Sequence, residues 1–468
     1  MRLPPDLEAA YADSFVPPRP LRDDAHPSTA GLLRQLRRGL LHVFDARSFR
    51  SFEGGSLLRA LRRRIVTANE PRTLKEALHD KHALFERKSP QMRHALEPLL
   101  GDGLFVSDGA TWAERRAAVA PIVHAAHVPT FAPVMAEVAR AFRDGLTPGA
   151  PHDMLFEMGE MSAEIIARTV FGTALGRSRT REIIAGFADF QRHVDQVDLP
   201  SMLGLPGWWP RRQTRAARAA ARRVQAVIDG LLADIEARRG GSEAETDALA
   251  AKLFDAADRH GKPLARRAIR NEAIVLFMAG HETTANTLAW ALYLVDRSPR
   301  VRAALSAELD AVLGGRDPEY ADVPNLPVTR AIVLETLRLY PPVPILGRTA
   351  TGDGTVGDHA VRAGDLFLAV PWLSQRNEDL WSLPHHFVPE RFAPGRPRPD
   401  KHVYMPFASG PRTCPGQTFA TVEAVLCLAT LLRSYEIRLA PGTEVATDCR
   451  LTLRPTSPLT MIPRPRPC

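Results

Sequence analysis

The chain is organised around one stretch near its C-terminal end, Phe407-Ala-Ser-Gly-Pro-Arg-Thr-Cys-Pro-Gly416. A single cysteine, Cys414, lies between two glycines, and a helical pattern of apolar residues follows at once. Glycine lets the backbone fold back, so that amide N–H groups can point at the sulfur. The helix also turns its positive N-terminal end toward the loop, and both effects favour a thiolate. Such a thiolate suits a nucleophile or a metal ligand, whereas a lone cysteine elsewhere is more often a buried structural residue.

Composition restricts the class of protein. The 468 residues carry 61 basic and 53 acidic side chains, a net charge of +8. Because the arginines are dispersed and are not interleaved with aromatic residues, nucleic-acid binding is not expected. The charge predicts either an ordinary solvated surface or a basic face for an acidic redox partner. The four cysteines show no C-x-x-C spacing, which favours a reducing compartment over a disulfide framework or a zinc site.

The N-terminal region carries no targeting signal. There is no apolar core of a signal peptide and no run of about 18 apolar residues, so we expect no transmembrane anchor and a cytoplasmic protein. Residues 1–30 are rich in proline and charge and predict an irregular arm. Residues 31–44 predict a basic amphipathic helix, either a surface helix over the core or a peripheral membrane contact. Short strands are predicted near 48–52 and 64–68, and a long loop at 89–103.

The middle of the chain is predominantly helical in pattern, with one apolar interruption. That interruption, residues 199–210, contains Trp208 and Trp209 and predicts either a loop packed on the domain or a lid over a substrate channel. Helical spacing of apolar residues predicts helices at 128–146, 154–171, 179–197, 212–239 and 243–260.

A long helix is predicted at 264–295, and its centre reads Ala279-Gly-His-Glu-Thr-Thr284. Glycine inside a helix costs about 1 kcal/mol relative to alanine, so Gly280 suggests close approach of a flat ligand. The Thr283 hydroxyl can bond a carbonyl one turn back and bend the helix. Together the two residues predict a groove for a small molecule such as O2.

Two further charge patterns are weak by themselves. Trp112 and Arg116 are four residues apart, and Glu335 and Arg338 are three residues apart. Both spacings place the two side chains of a pair on one face of a helix. Alone, the first pair suggests an arginine packed on a tryptophan, and the second a surface salt bridge. Their order along the chain relative to Cys414 gives them more weight.

Taken together, these motifs resemble those of the cytochrome P450 family in type and order, over about residues 65–463. The resemblance implies the family's triangular-prism fold, mainly α with a smaller β region, and a single haem domain over 31–468. It implies a monooxygenase of the soluble bacterial type that uses haem b. The enzyme would insert one oxygen atom from O2 into an apolar substrate of the fatty acid, terpenoid, steroid or polyketide class.

The resemblance also implies roles for particular residues. Cys414 would be the axial iron ligand, which favours O–O cleavage, and Glu282 with Thr283 would relay protons. Haem contacts would come from Trp112, Arg116, Ala279, Gly280, Arg348, Phe407, Gly410, Arg412 and Gly416. A buried network of Glu335, Arg338 and Arg391 would support the haem from its proximal side. Substrate-pocket candidates are Leu104, Phe105, Val343, Ile345, Leu346, Ser457 and Pro458.

Electron supply and the alternatives complete the sequence-based expectations. No flavin- or nicotinamide-binding region follows the cysteine helix, so a ferredoxin or flavodoxin-type redox partner with its reductase is expected. One alternative is a peroxide-driven peroxygenase or a haem-dependent isomerase, which needs no relayed protons. Another is a haem protein without catalytic activity that binds ligands or transfers electrons.

Overall fold

A computed structural model describes residues 1–20, 31, 35, 39–55, 64–172, 176–194, 213–238, 248–449 and 451–466. Residues 32–34 and 36–38 of the predicted basic helix at 31–44, and all of the predicted lid at 199–210, lie outside these residues. Near the end of the predicted helix, Leu40–Val43 form a 3-10 helix. The described part is mainly helical. Its α-helices are α1 (Pro5–Tyr11), α2 (Pro71–Lys75), α3 (Pro90–Leu100), α4 (Gly109–Val119), α5 (Val128–Gly145), α6 (Met154–Phe171), α7 (Gly176–His193), α8 (Arg215–Arg238), α9 (Leu249–Asp255), α10 (Arg266–Arg297), α11 (Pro299–Leu313), α12 (Pro327–Leu339), α13 (Pro371–Ser374) and α14 (Gln417–Ser434).

The smaller β region consists of short strands. A five-stranded sheet has the order β1-β2-β8-β5-β3, in which β2 and β8 are parallel and the other neighbours are antiparallel. A three-stranded sheet has the order β4-β12-β9, and β6-β7 and β10-β11 form separate pairs. The strands are β1 (Glu53–Gly55), β2 (Ile65–Ala68), β3 (Arg87–Lys88), β4 (His152–Asp153), β5 (Leu346–Thr349), β6 (Gly354–Val356), β7 (His359–Val361), β8 (Leu366–Ala369), β9 (Tyr435–Leu439), β10 (Thr447–Cys449), β11 (Leu453–Pro455) and β12 (Thr460–Pro465).

Helix α10 is the centre of the fold. At 1.5 Å per residue its length is about 48 Å, and its second half is buried on all sides. It packs most extensively against α6 and also contacts α12 and α14. The tightest point of the α6 contact is Gly280, where a Cβ atom would lie 2.6 Å from Ile166 Cδ1. The glycine that the sequence suggested for a flat ligand is therefore also required for the approach of two helices.

The N-terminal arm is not wholly irregular as predicted, since residues 5–11 form α1. Proline at its first position suits a helix start. Leu7 and Tyr11 are buried and belong to the same apolar core as the rest of the chain. The Tyr11 hydroxyl donates to the Glu390 carboxylate at 2.7 and 2.8 Å. The arm thus packs onto the Pro-Glu-Arg-Phe segment at Pro389–Phe392. The single haem domain stays a prediction, and this packing is consistent with it.

The predicted loop at 89–103 is wrong, because residues 90–100 form α3. The Ser89 hydroxyl accepts from the Met92 amide at 3.4 Å, and Pro90 occupies the first helical position. Pro98 lies inside this helix, where it has no N–H group for a helical hydrogen bond. The helix persists because Leu96, Leu99 and Leu100 are buried against the core.

Other boundaries were predicted with mixed success. The helices expected at 128–146, 154–171, 179–197 and 212–239 are present in the described residues as α5 to α8. Of the fifth, expected at 243–260, the structure describes 248–260, and within this part 249–255 form α9. The strand at 64–68 is confirmed, but 46–49 is a 3-10 helix, capped by the Asp45 side chain. Near the C-terminus, Cys449 and Leu453 pair with each other in the β10–β11 hairpin.

Candidate functional site

The cysteine loop is held between a short 3-10 turn and the start of α14. Gly410 has φ +75°, and a Cβ atom there would overlap the carbonyl oxygen of Leu78, so only glycine fits. The Cys414 amide donates to the Phe407 carbonyl at 2.9 Å, which closes the loop. Gly416 is the N-cap of α14. The sequence pattern thus produces the tight loop that was predicted from it.

The Cys414 thiol faces a cavity of about 1190 Å³. Burial raises the pKa of the Cys414 thiol, while the Gly416 amide and the nearby Arg116 guanidinium lower it by a smaller amount. The sequence argument for a lowered pKa is therefore wrong for the free thiol, because it considered the amides and the helix end but not desolvation. Coordination to a metal ion would deprotonate the thiol.

Three arginines line the cavity near the cysteine. Arg412 donates to the Ser107 carbonyl at 3.0 Å and to Asp108 Oδ1 at 3.3 Å, and its guanidinium lies 4.5 Å from the centre of the Trp112 ring. Arg348 is 2 % exposed, and burial lowers its pKa to about 10. Burial also lowers the pKa of Arg116. Among the described residues, Arg348 and Arg116 form no ion pair.

Sequence reasoning missed two neighbours of this cationic cluster: Lys88, a further cation, and His82, whose pKa is lowered by burial. Lys88 lies directly opposite Arg348 in the β3–β5 pair, and burial lowers its pKa well below the usual range. Like charges opposite each other weaken a strand pair. The His82 ring is tilted against the Trp112 ring, with 5.9 Å between the ring centres. Its Nε2 atom is buried and has no hydrogen-bond partner among the described residues. Lys88 directly precedes the predicted loop at 89–103, but only the strand register shows that it meets Arg348.

The long helix presents its central motif to the same cavity. The Thr283 hydroxyl donates to the Ala279 carbonyl at 2.7 Å, the bond expected from the sequence. Ala279, Gly280, Glu282 and Thr283 all line the cavity. His281, in contrast, is buried away from it between Phe187 and Phe277, and burial lowers its pKa to about 4.

The Glu282 carboxyl is held by two other elements. Its Oε2 accepts from Gln191 Nε2 at 2.7 Å, and its Oε1 accepts from the Thr452 hydroxyl at 2.6 Å. Asn286 supports Thr452 with a bond of 3.2 Å. Burial raises the pKa of Glu282, so the carboxyl holds its proton closer to neutral pH. Gln191 and Thr452 were not predicted, since neither belongs to a recognisable motif.

Most pocket candidates are where they were expected. Leu104, Phe105, Val343, Ile345 and Leu346 line the cavity. Ser457 and Pro458 do not, and that expectation is wrong: both are exposed, and the Ser457 hydroxyl donates to Asp153 at 2.7 Å. The chain reaches the cavity earlier, because the β10–β11 turn brings Leu451 and Thr452 to its wall.

The buried network that the resemblance implied is present, whereas the spacing of Glu335 and Arg338 alone suggested a surface salt bridge. Arg338 forms a bidentate pair with Glu335, with both distances 2.7 Å, and Arg391 Nε lies 3.3 Å from the same carboxylate. All three side chains are fully buried. The remaining donors of Arg338 bind the carbonyls of Gln375, Pro384 and His386.

Fold and site together define a helical enzyme with a deep apolar cavity, a cysteine on one wall and uncompensated cations on another. Comparisons with known proteins identify the class. The model of the Cytochrome P450 family matches residues 26–462. The chain therefore belongs to the cytochrome P450 family.

Individual relatives agree. The chain is 33 % identical over 381 residues to cyclooctatin synthase from Streptomyces melanosporofaciens, covering 80 % of this chain and 81 % of the relative. It is 29 % identical to cyclooctat-9-en-7-ol 5-monooxygenase of that organism, covering 79 % of each chain. A putative cytochrome P450 139 from Mycobacterium tuberculosis is 31 % identical, covering 75 % of this chain and 80 % of the relative.

A solved structure shows the same fold. The haem domain described as cytochrome P450DA superposes with a TM-score of 0.78 at 24 % identity, covering 97 % of this chain and 99 % of that one. The protein is accordingly a haem-thiolate monooxygenase with haem b as cofactor. As in its family, the reaction takes O2, an organic substrate and electrons from a redox partner. No helix in the described part of the chain is long and apolar enough to cross a membrane.

Proposed function

We propose that haem b binds in the 1190 Å³ cavity with Cys414 as its axial ligand and its carboxylates against the cationic cluster. One observation carries the proposal: the Cys414 thiol and the unpaired cations Arg116 and Arg348 face the same cavity. Buried cations without counter-charges are costly. The two propionates of haem would supply the missing negative charge, and Lys88 joins Trp112 and Arg412 as a contact to them.

The remaining haem contacts follow the same cavity wall. Ala279 and Gly280 present the helix to the ring, while Phe407 and Gly416 flank the thiolate and limit its exposure. Gly410 acts indirectly, because it lets the loop rest against Leu78. Glu335, Arg338 and Arg391 lie outside the cavity lining and would support the cysteine loop from behind.

The haem, when bound, supplies the iron at which O2 is activated. The chain's own contribution to that step is proton supply. We assign the proton to the Glu282 carboxyl, whose raised pKa suits an acid near neutral pH. The Thr283 hydroxyl, which faces the cavity from the next residue, would pass it on. Gln191 and Thr452 hold Glu282 in the present arrangement and would have to release one oxygen.

The central test is the reduced carbon monoxide difference spectrum of the native protein. A Soret band at the position typical of thiolate ligation is expected, with loss of that band in Cys414→Ser. The matched control is Cys427→Ala, which changes another free cysteine that does not line the cavity. A native protein that lacks the thiolate band would overturn the assignment. Substrate-dependent O2 consumption separates the enzyme from a ligand-binding haem protein.

We further propose a bulky apolar substrate. The walls opposite the cysteine are largely apolar, with Leu104, Phe105 and Leu451 among them. One relative is named for 5-monooxygenation of cyclooctat-9-en-7-ol, so unsaturated cyclic alcohols are the first compounds to screen. Fatty acids, steroids and polyketides form the other arms of the panel. The expected response is a low-to-high-spin shift with a cyclic compound, and a shift only with linear chains would contradict it.

For the electron donor we propose a separate acidic ferredoxin or flavodoxin-type protein with its reductase. The segment under the cysteine loop exposes Arg72 together with Lys75 and His79, and the last two lie 2.6 and 3.1 Å from Asp80. Arg72 is therefore the cation that this segment offers a partner, and Lys401 is exposed six residues before the loop. Arg72→Glu should slow reduction at low ionic strength, because exposed charges steer an acidic partner. Arg222→Glu, an exposed arginine on α8, is the control. Reduction that is insensitive to both Arg72 and salt would contradict this docking face.

A cytoplasmic location is proposed on the state of the cysteines. Cys414, Cys427 and Cys449 are free thiols in the described part of the chain. Free thiols are usual in reducing compartments. The alternative is a peripheral membrane protein. Its membrane contacts would be the basic segment at 31–44 or residues 199–210.

A further inference from the structure

A second buried carboxylate lies on α10, two turns before the oxygen motif. Glu272 is fully buried, and its two oxygens accept from the Leu104 amide at 3.0 and 3.1 Å. Arg115 of α4 approaches the same carboxylate, with Nε 3.4 Å from Oε1. The proton-relay and haem-binding assignments do not use this residue.

Further contacts close these groups into a ring around residues 101–105. Arg115 Nη2 donates to Asp102 at 3.1 Å, and Asn271 Nδ2 donates to the same carboxylate at 2.8 Å. The loop lies directly on the helix, since a Cβ atom at Gly103 would be 2.7 Å from Val275 Cγ2. The loop is therefore fixed to both α4 and α10 through charged groups.

The ring holds a part of the cavity wall. Leu104, whose amide binds Glu272, and Phe105 both line the cavity. Lys88 Nζ lies 5.1 Å from the centre of the Phe105 ring, so this side chain is also fixed from its other side. Displacement of the Leu104 amide would move both apolar side chains together.

We propose that Glu272 is a positioning residue for the substrate pocket: it fixes the Leu104 amide, and through it sets the affinity for bulky apolar ligands. The proposal rests on the proposed function, in which this cavity holds haem and such a ligand. A buried carboxylate costs more than an apolar residue of the same size. What an apolar residue cannot supply is a directional acceptor for one particular N–H group.

The test compares Glu272→Met with Glu272→Gln in the haem-loaded protein. Methionine has similar length but no acceptor oxygen, whereas glutamine keeps one. The probes are clotrimazole, which is bulky, and imidazole, which is small enough to avoid the loop, both followed by the shift of the Soret band. In Glu272→Met we expect clotrimazole affinity to fall about tenfold and imidazole affinity to stay within about twofold. Glutamine should restore most of the clotrimazole affinity.

Hydrogen exchange supplies a second readout that does not depend on haem chemistry. The Leu104 amide should exchange faster in Glu272→Met than in the wild type or in Glu272→Gln. Glu308→Gln is the matched control, since Glu308 also accepts from backbone amides, at 2.5 Å from Val328 and 2.8 Å from Thr329, but does not line the cavity.

The outcomes separate this proposal from the proposed function. Unchanged clotrimazole affinity, equal weakening of both probes, or unchanged exchange at Leu104 would overturn the positioning role. A protein that binds haem without a thiolate band would instead overturn the role of Cys414, while the exchange of Leu104 would still decide the role of Glu272.

Discussion

Two buried arginine clusters lie on different sides of the cysteine loop, and they differ in how their charge is balanced. In the first, Glu335 lies between Arg338 and Arg391, and Arg338 uses every donor on carboxylate or carbonyl oxygens. In the second, the Arg348 side chain donates a single hydrogen bond within the described part of the chain, to the carbonyl of Gly347. Lys88 lies opposite it on the neighbouring strand.

The difference separates a structural group from a binding group. Buried charges are tolerated when partners surround them, so the Glu335 cluster is complete without any ligand. The Arg348 cluster is incomplete, and burial lowers the pKa of both Arg348 and Lys88 accordingly. A site of this kind gains stability from an anionic ligand. Removal of a charge should therefore have opposite effects in the two places.

The largest effect is expected at the complete cluster. Glu335→Gln leaves Arg338 and Arg391 buried without a counter-charge, which should lower the free energy of unfolding by about 3–5 kcal/mol. Denaturant titration of the variant measures the change. The control Glu97→Gln removes a carboxylate whose side chain is 53 % exposed and which pairs with Arg93, and it should cost below about 0.5 kcal/mol. A loss at Glu335 as small as that of the control would refute the structural role.

An intermediate effect is expected at Glu272, where a single arginine faces the carboxylate and Asp102 adds a repulsive charge. Burial raises the pKa of Glu272 from 4.5 to about 8. The folded state thus binds the proton more tightly than the unfolded state. The resulting stability is fully present below about pH 4.5 and is lost as the pH rises through about 8.

The measurement is the unfolding free energy of wild type and Glu272→Gln across that range. Relative to the variant, the wild type should lose on the order of 2 kcal/mol between about pH 5 and pH 7. The charges of Arg115 and Asp102 are common to both proteins, so the difference isolates Glu272. Parallel pH profiles would show that Glu272 ionises as it does in the unfolded chain.

The same contrast explains what the sequence could predict. Cys414, the Glu335–Arg338 pair and the Thr283–Ala279 bond depend on spacings within one loop or one helix, and the structure contains all three. Short spacings fix relative positions because a helix has a regular period. Lys88 was missed because its partner is 260 residues away in the chain and is reached only through strand register.

The errors have the same origin. Ser457 was placed in the pocket from its position in a turn, but which turn reaches the cavity depends on how the β10–β11 hairpin packs. The segment at 90–100 was predicted as part of a loop, although its apolar face is buried against the core. In both cases tertiary packing outweighed the local signal. Gly280 was predicted to allow the close approach of a flat ligand. A close contact is present at this glycine, but the group next to it is the Ile166 side chain of α6.

The smallest effect, and the one with opposite sign, is expected at the incomplete cluster. Arg348→Met removes a buried cation that has no carboxylate partner, so the haem-free protein should be as stable as the wild type or about 1 kcal/mol more stable. The same variant should lose haem faster to an acceptor protein, because one propionate loses its counter-charge. Arg391→Met is the matched change at the complete cluster, and it should destabilise the haem-free protein. If both variants destabilise it equally, the cationic cluster is part of the fold rather than a binding site, and the contrast between the two clusters fails.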